Sequence, residues 1–351
     1  MNSKNLKLII SVILVMIYSC DEPETVVTNI IHKDGSITRH VVMRSNKNDF
    51  RQSEIQVPID TTWALNDSCI ISEKGDTSWI RTAEKHYDDI IELNKDYKND
   101  SSCNNTATRS AQLKTNFRWF NTIYRFSEKI DKNLSNGYPV SRFLSDEELQ
   151  WFYTPWNDQE AKRNGIDSVR YRVLSDSVNS RTNDWFFNSM VSEWVHDFSD
   201  QIYRKDSEKI ADDTLKLWES RMLDILKKSE KDFDSLWKSG SALEASVGRS
   251  YAEKYRIEAD SSLEQVEDKI NLTFKQYSMR ISMPGKLIGS NGYADSSRIL
   301  LWSVNWDYFF TEDYEMWAES KLPNIWAWIV SGFFVVFVIT GLIARKKREA
   351  E

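Results

Sequence analysis

The amino-acid sequence predicts an α+β protein: a mixed β-sheet formed by N- and C-terminal strands, a helical region inserted between them, and one C-terminal transmembrane helix. Three observations carry this expectation. β-branched runs punctuated by turn residues occupy residues 25–43 and return between 272 and 310. Apolar residues recur at three- and four-residue steps between 184 and 268. Residues 325–344 then run without a single charge.

Taken in order, residues 25–31 and 37–43 form two strands around the turn Lys33-Asp34-Gly35-Ser36. Shorter strands are expected at 68–72 and 77–83, hinged at Lys74-Gly75-Asp76. Residues 113–126 read as one long strand, with Phe117 and Trp119 on one face and Phe120, Tyr124 and Phe126 on the other. Aromatics on both faces suit a central strand. Ser145-Asp146-Glu147-Glu148 has capping-box spacing and opens a helical insertion over 145–268.

Inside that insertion, Phe187, Val191, Trp194, Phe198 and Ile202 make one amphipathic stripe, and Ala211, Leu215, Trp218, Met222 and Ile225 a second. A third helix is expected over 241–268. Such stripes pack a core more often than they line a ligand groove. β structure resumes at 272–281, with tight turns at Met283-Pro284-Gly285 and Asn291-Gly292, and a strand at 299–306.

Both chain ends point to a membrane. Lys4 and Lys7 precede an apolar run over 8–17, too short for a stable span, so residues 1–19 read as a signal peptide. The run closes on Ile17-Tyr18-Ser19-Cys20, which resembles the bacterial lipobox; the resemblance implies cleavage before Cys20 and lipidation of its sulfur. Asp21 and Glu22 behind it resemble either an inner-membrane retention signal or a surface-export signal. At the other end, residues 325–344 rise about 30 Å as a helix, the thickness of a bilayer's hydrocarbon core. Trp326 and Trp328 stand at its outer edge and Arg345, Lys346, Lys347 and Arg348 at its inner edge, the order expected for a cytoplasmic C-terminus. The expected localisation is therefore the cytoplasmic (inner) membrane, with residues 20–322 periplasmic or otherwise extracytoplasmic, tied down by a lipid and a helix. Residues 345–351 form a basic cytoplasmic tail.

Composition narrows the partners. Of the net charge of −7, residues 1–19 and 345–351 are basic, leaving −11 on residues 20–344. A domain so acidic is repelled by phosphate backbones, which excludes nucleic acid as an expected partner and disfavours adhesion to anionic headgroups by charge alone. The 14 Trp, 14 Tyr and 16 Phe are ample for a sizeable core.

Catalytic chemistry is not legible. His32, His40, His86 and His196 lack metal-ligand spacing, although His32 and His40 flank one hairpin and could face each other; no metal and no cofactor are expected. The chain has no phosphate loop, nucleophile elbow or zinc-protease helix. Asp212-Asp213 and Glu147-Glu148 suit first turns of helices. Cys69 and Cys103 are the candidate disulfide pair; a bridge would enclose 33 intervening residues, and loop entropy sets its contribution at roughly 3–4 kcal/mol at most.

The stretch Met283-Pro284-Gly285-Lys286-Leu287-Ile288-Gly289-Ser290-Asn291-Gly292, followed by Leu301-Trp302, resembles the LppM-type lipoproteins, as do the Asp34-Gly35-Ser36 hairpin and the plan of lipobox, exported domain and basic-tailed helix. The resemblance covers the two ends of the exported region. It implies binding of an envelope lipid or glycolipid and supplies no catalytic residues. The expectation is a non-enzymatic envelope protein that binds a lipid, a glycolipid or an envelope partner protein; the alternatives are a scaffold subunit of a membrane complex and an unrecognised hydrolase.

Overall fold

The computed structural model describes residues 25–45, 50, 57–71, 77–99, 108–154, 168–229, 233–270, 276–294 and 299–348. The expected signal peptide, Cys20 and Cys103 lie outside these residues, and the strand limits expected around 72–76 fall partly outside them.

The chain is α+β, and strands from its two ends interleave. β1 (Thr25–Ile31) pairs antiparallel with β2 (Ile37–Ser45) and parallel with β7 (Tyr277–Ser282). With β3 (Ala64–Ile71), β4 (Thr77–Tyr87), β9 (Tyr293–Ala294) and β10 (Leu300–Val304) they form a seven-stranded mixed sheet in the order β3-β4-β2-β1-β7-β10-β9. This is the sheet anticipated from the two β-rich ends. It is joined by a second, four-stranded antiparallel sheet, β5-β6-β11-β8, made of β5 (Arg109–Arg118), β6 (Asn121–Ile130), β11 (Tyr314–Pro323) and β8 (Lys286–Ser290).

The two sheets stack through one apolar core. Val27, Ile37, Val41, Met279 and Trp302 of the first meet Phe126, Ile130, Met316 and Ala318 of the second. Strict alternation along β2 and β6 produces these faces, because a period of two sends every second side chain inward. Helix α1 (Ile90–Asn99) closes the β5 edge: its Asn94 donates to the Ala111 carbonyl and accepts from the Ala111 N–H, both at 2.8 Å, as a neighbouring strand would.

A buried polar cluster lies between the sheets. Arg39 Nη2 donates to Glu128 Oε2 at 2.7 Å and its Nε to Asn29 Oδ1 at 2.8 Å, while the Tyr97 hydroxyl donates to Glu128 Oε1 at 2.8 Å. Arg39 and Glu128 are 1% and 0% exposed, so this ion pair is cut off from water. Burial opposes the Arg39 charge, but Tyr97, Glu128 and Tyr87 outweigh it and hold the guanidinium above its ordinary value. Burial likewise raises the Tyr97 hydroxyl well above its usual range, against the lowering effect of Arg39.

Three local readings are corrected. Residues 113–126 are not one central strand but most of the β5–β6 hairpin, turning at Trp119-Phe120; the aromatics on two faces belong to two strands and their turn. The helix expected over 241–268 is three: α6 (Ser241–Val247), α7 (Arg249–Lys254) and α8 (Arg256–Ile270). Gly248, at φ +89°, breaks the first junction, and at the second Tyr255 is pulled into the core with its hydroxyl donating to Asp206 and Glu208. The turns at Pro284-Gly285 and Asn291-Gly292 do not close hairpins. They carry the chain from the first sheet into β8 of the second and back again.

The remaining helices follow the pattern in the sequence. α2 (Asp146–Tyr153) starts on a formed capping box between Ser145 and Glu148. α3 (Ser168–Asp206) begins well before residue 184, and with α4 (Asp212–Ser229), α5 (Phe233–Lys238) and α6–α8 it builds a second core from Val191, Trp194, Phe198, Ile202, Trp218 and Met222. Phe187 is only half-buried and Ala211 exposed, so both expected stripes lose their first member. The Asn133–Pro139 loop after β6 is fastened to these helices: Asn136 N donates to Glu193 at 2.6 Å, Tyr138 OH to Glu219 at 2.6 Å, and Trp185 Nε1 to the Tyr138 carbonyl at 2.7 Å.

Asn291 accepts from Trp302 Nε1 at 3.0 Å and from Trp317 N at 2.9 Å, stitching the two sheets where the chain crosses between them. A Cβ on the adjacent Gly292 would sit 2.4–2.9 Å from the Trp302 indole. Gly292→Ala is therefore expected to lower stability by about 1–3 kcal/mol through overpacking, read as a lower denaturation midpoint with unchanged slope.

Candidate membrane-interface site

β11 ends at Pro323, which cannot donate a ladder hydrogen bond, and one residue later the chain enters α9 (Ile325–Arg348). The connecting residue, Asn324, ties the start of the helix to the β5–β6 turn. Its backbone N–H donates to the Phe120 carbonyl at 3.0 Å and its Nδ2 to the carbonyls of Arg118 and Trp119 at 2.8 and 3.3 Å. Its Oδ1 accepts from Thr122 Oγ1 at 3.0 Å, and its own carbonyl accepts from Ala327 N, the first bond of the helix.

The turn needs this support. Among the described residues only Ser207 has a positive φ outside glycine, so Trp119 and Phe120 do not adopt the primed turns that match strand twist. Asn324 satisfies the carbonyls that such a turn leaves open.

Around this lock stand five aromatic rings. Phe117 stacks on Trp326 at 6.3 Å, Trp119 meets Trp326 edge-on at 5.3 Å, and Phe120 lies 4.4 Å from Trp328. Trp119 Nε1 donates to Ser331 Oγ at 2.8 Å, so the turn reaches seven residues along the helix from Asn324. At 1.5 Å per residue that is about 10 Å, comparable to the depth of the polar layer of a bilayer. The rings remain 39–61% exposed despite these contacts. They form a collar presented to the medium, not a core.

Beyond the collar the helix stands alone. Side chains 332–346 are exposed, Phe333 and Phe337 most of all, and α9 is long and apolar enough to cross a membrane. Thr340 returns its hydroxyl hydrogen bond to the Val336 carbonyl, which satisfies this donor within the helix. Arg345, Lys346 and Arg348 lie in the last turn of the same helix, where cations favour the negative end of the dipole.

The structure brings Trp326 and Trp328 together with Phe117, Trp119 and Phe120, and it reveals Asn324, which sequence reasoning missed. An Asn directly after a strand-ending Pro and before an apolar run is an N-cap signal that could have been read.

The other candidates separate. Cys69 is exposed on the edge strand β3. His40 faces Thr28 and Glu84 across the ladders, not His32. The histidine that His32 meets is His86, 5.9 Å away, with the Thr38 hydroxyl between them at 2.9 and 3.1 Å. These two rings line a shallow open cleft of about 570 Å³ with Lys33, Asp34, Ser36 and Pro284. Ser36 holds the Asp34 carboxyl below its usual range through side-chain and backbone hydrogen bonds. No group of three or more metal-ligating side chains occurs among the described residues. No known protein family, curated protein or solved structure matches the chain.

Proposed function

We propose that this protein is a membrane-tethered, extracytoplasmic binding protein without enzymatic activity, seated on the cytoplasmic membrane by its aromatic collar. In this reading residues 20–322 lie outside, helix 325–344 spans the bilayer, residues 345–351 face the cytoplasm, and Cys20 adds a lipid anchor. The exported domain binds a lipid, a glycolipid or an envelope protein. The observation that carries the reading is the collar itself: five half-exposed rings gathered around Asn324 at the start of α9, and aromatic rings of this kind favour the headgroup layer of a bilayer.

The non-enzymatic part is supported by what four of the five buried glutamates among the described residues do. Glu128 clamps the sheets, Glu148 caps α2, and Glu193 and Glu219 hold the loop after β6. All four are spent on structure.

The test is depth-resolved quenching of tryptophan emission in vesicles. Lipids brominated near the ester groups are expected to quench part of the emission, and that part disappears in a Trp119→Phe/Trp326→Phe/Trp328→Phe variant. Lipids brominated at the chain ends quench far less. Quenching that the triple variant leaves unchanged would overturn the proposal.

A further inference from the structure

The outer face of the four-stranded sheet carries a charge opposite to the rest of the domain. Pairing registers place its residues in rows across the strands. The row nearest α9 is Arg118, Asn121 and Pro323; the next is Asn116, Ile123, Lys321 and Lys286; the third is Lys114, Arg125, Glu319 and Gly289. The inward residues of the same strands, Tyr124, Phe126, Ala318 and Ser320, are buried, which fixes these rows as the outward side.

Across the three rows stand the cations Lys114, Arg118, Arg125, Lys286 and Lys321 against the single carboxylate of Glu319, which Arg125 engages at 3.5 Å. Lys114, Arg118, Lys286 and Lys321 are exposed, and no ion pair holds any of them among the described residues. Alternate residues along a strand are about 6.6 Å apart, so the patch extends roughly 13 Å up from the collar.

We propose that this face is a docking surface for anionic phospholipid headgroups, which draw the domain down onto the bilayer beside its own helix. The inference rests on α9 being a membrane span, since the span delivers the patch to the lipid surface. Pro323 lies in the lowest row and the helix starts two residues later. The domain's overall acidity, −11 over residues 20–344, repels an anionic bilayer everywhere else. Attraction on one face and repulsion on the others orient the domain as well as hold it. Each lysine or arginine near an anionic surface contributes a comparable increment, and these increments act only within a Debye length, about 10 Å at 0.1 M salt. An orientation maintained this way responds to salt and to lipid composition.

The experiment is residue-resolved lysine acylation by a neutral reagent on the full chain in nanodiscs of zwitterionic or anionic phospholipid. Labelling of Lys114, Lys286 and Lys321 is expected to fall at least threefold in anionic discs and to recover near 0.5 M salt. Lys216 on α4 reports reagent activity. Lys33, in the β1–β2 turn of the seven-stranded sheet with its carbonyl accepting from the Tyr124 hydroxyl, controls for depletion of reagent at the surface. Lys286→Glu/Lys321→Glu, which alters two exposed side chains, is expected to remove the lipid dependence at Lys114. Equal labelling in the two lipids, with the protein incorporated into both discs, overturns the docking surface and leaves the membrane span standing. Failure to incorporate into either disc overturns the span, and with it this inference.

Discussion

Replacing Glu128 with Leu is expected to cost about 3–5 kcal/mol, the cost of leaving a buried charge without its partner. Total stability of a domain is about 5–15 kcal/mol, so the variant is poised to unfold. The geometry explains the size. Glu128 accepts from Arg39, Asn29 and Tyr97 at once; Arg39 and Asn29 lie inside the stack of sheets, where no water can replace the lost carboxylate, and the half-buried Tyr97 reaches in from α1. Arg39 cannot shed its proton to escape, because a guanidinium stays charged at any accessible pH. The double variant Arg39→Met/Glu128→Leu removes the lone charge and is expected to recover part of the loss, with Asn29 and Tyr97 still short of a partner. Chemical denaturation of the two variants beside the natural chain measures this directly. If the double variant is no more stable than Glu128→Leu, the pair does not act as a charge clamp between the sheets.

The second large effect concerns the helix. Val335 and Val338 are exposed near the middle of α9, and an aspartate at a helix centre opposes insertion by about 2.5–3.5 kcal/mol. Val335→Asp/Val338→Asp is therefore expected to abolish stable spanning. Its consequence for fractionation depends on the other end of the chain. With Cys20 acylated, the double variant stays with membranes and leaves them only when Cys20→Ala is added. Release of the Val335→Asp/Val338→Asp chain with Cys20 intact would remove the lipid anchor from the proposal. Retention of the triple variant in alkaline-washed membranes would remove the spanning helix as the second anchor.

In the proposed arrangement the collar and the basic face give the two anchors a common purpose. A flexible tether would let the domain tumble above the bilayer; here one residue, Asn324, separates the last strand from the helix and is bonded to both sides of the neighbouring turn. The sandwich and α9 consequently share an orientation. The helices of the insertion attach at the other end, through the loop after β6 and the aromatic cluster of Phe152, Trp185, Phe186, Trp306 and Phe310. They lie at the end of the sandwich opposite the start of α9.

The sequence by itself determined the elements whose signal is local. The Asp34-Gly35 turn, the alternation along residues 25–43, the Ser145–Glu148 cap, the stripes through Trp194 and Trp218 and the uncharged run at 325–344 each depend on a period or a dipeptide inside one window. The tertiary structure alone decided the rest. The Trp119-Phe120 turn carries no glycine or asparagine and exists because Asn324, some two hundred residues away in sequence, bonds its carbonyls. The use of Asn291-Gly292 to switch sheets depends on Trp302 and Trp317 arriving from separate strands. Arg39 and Glu128 become a buried ion pair only because two sheets close over them. The five cations beside the start of α9 come from three separate stretches of sequence and become a surface only once β5, β6, β11 and β8 lie side by side. Local pattern specifies which backbone a segment adopts; which side chains share a face across strands is set by long-range pairing, and in this protein the candidate site is built almost entirely from such pairing.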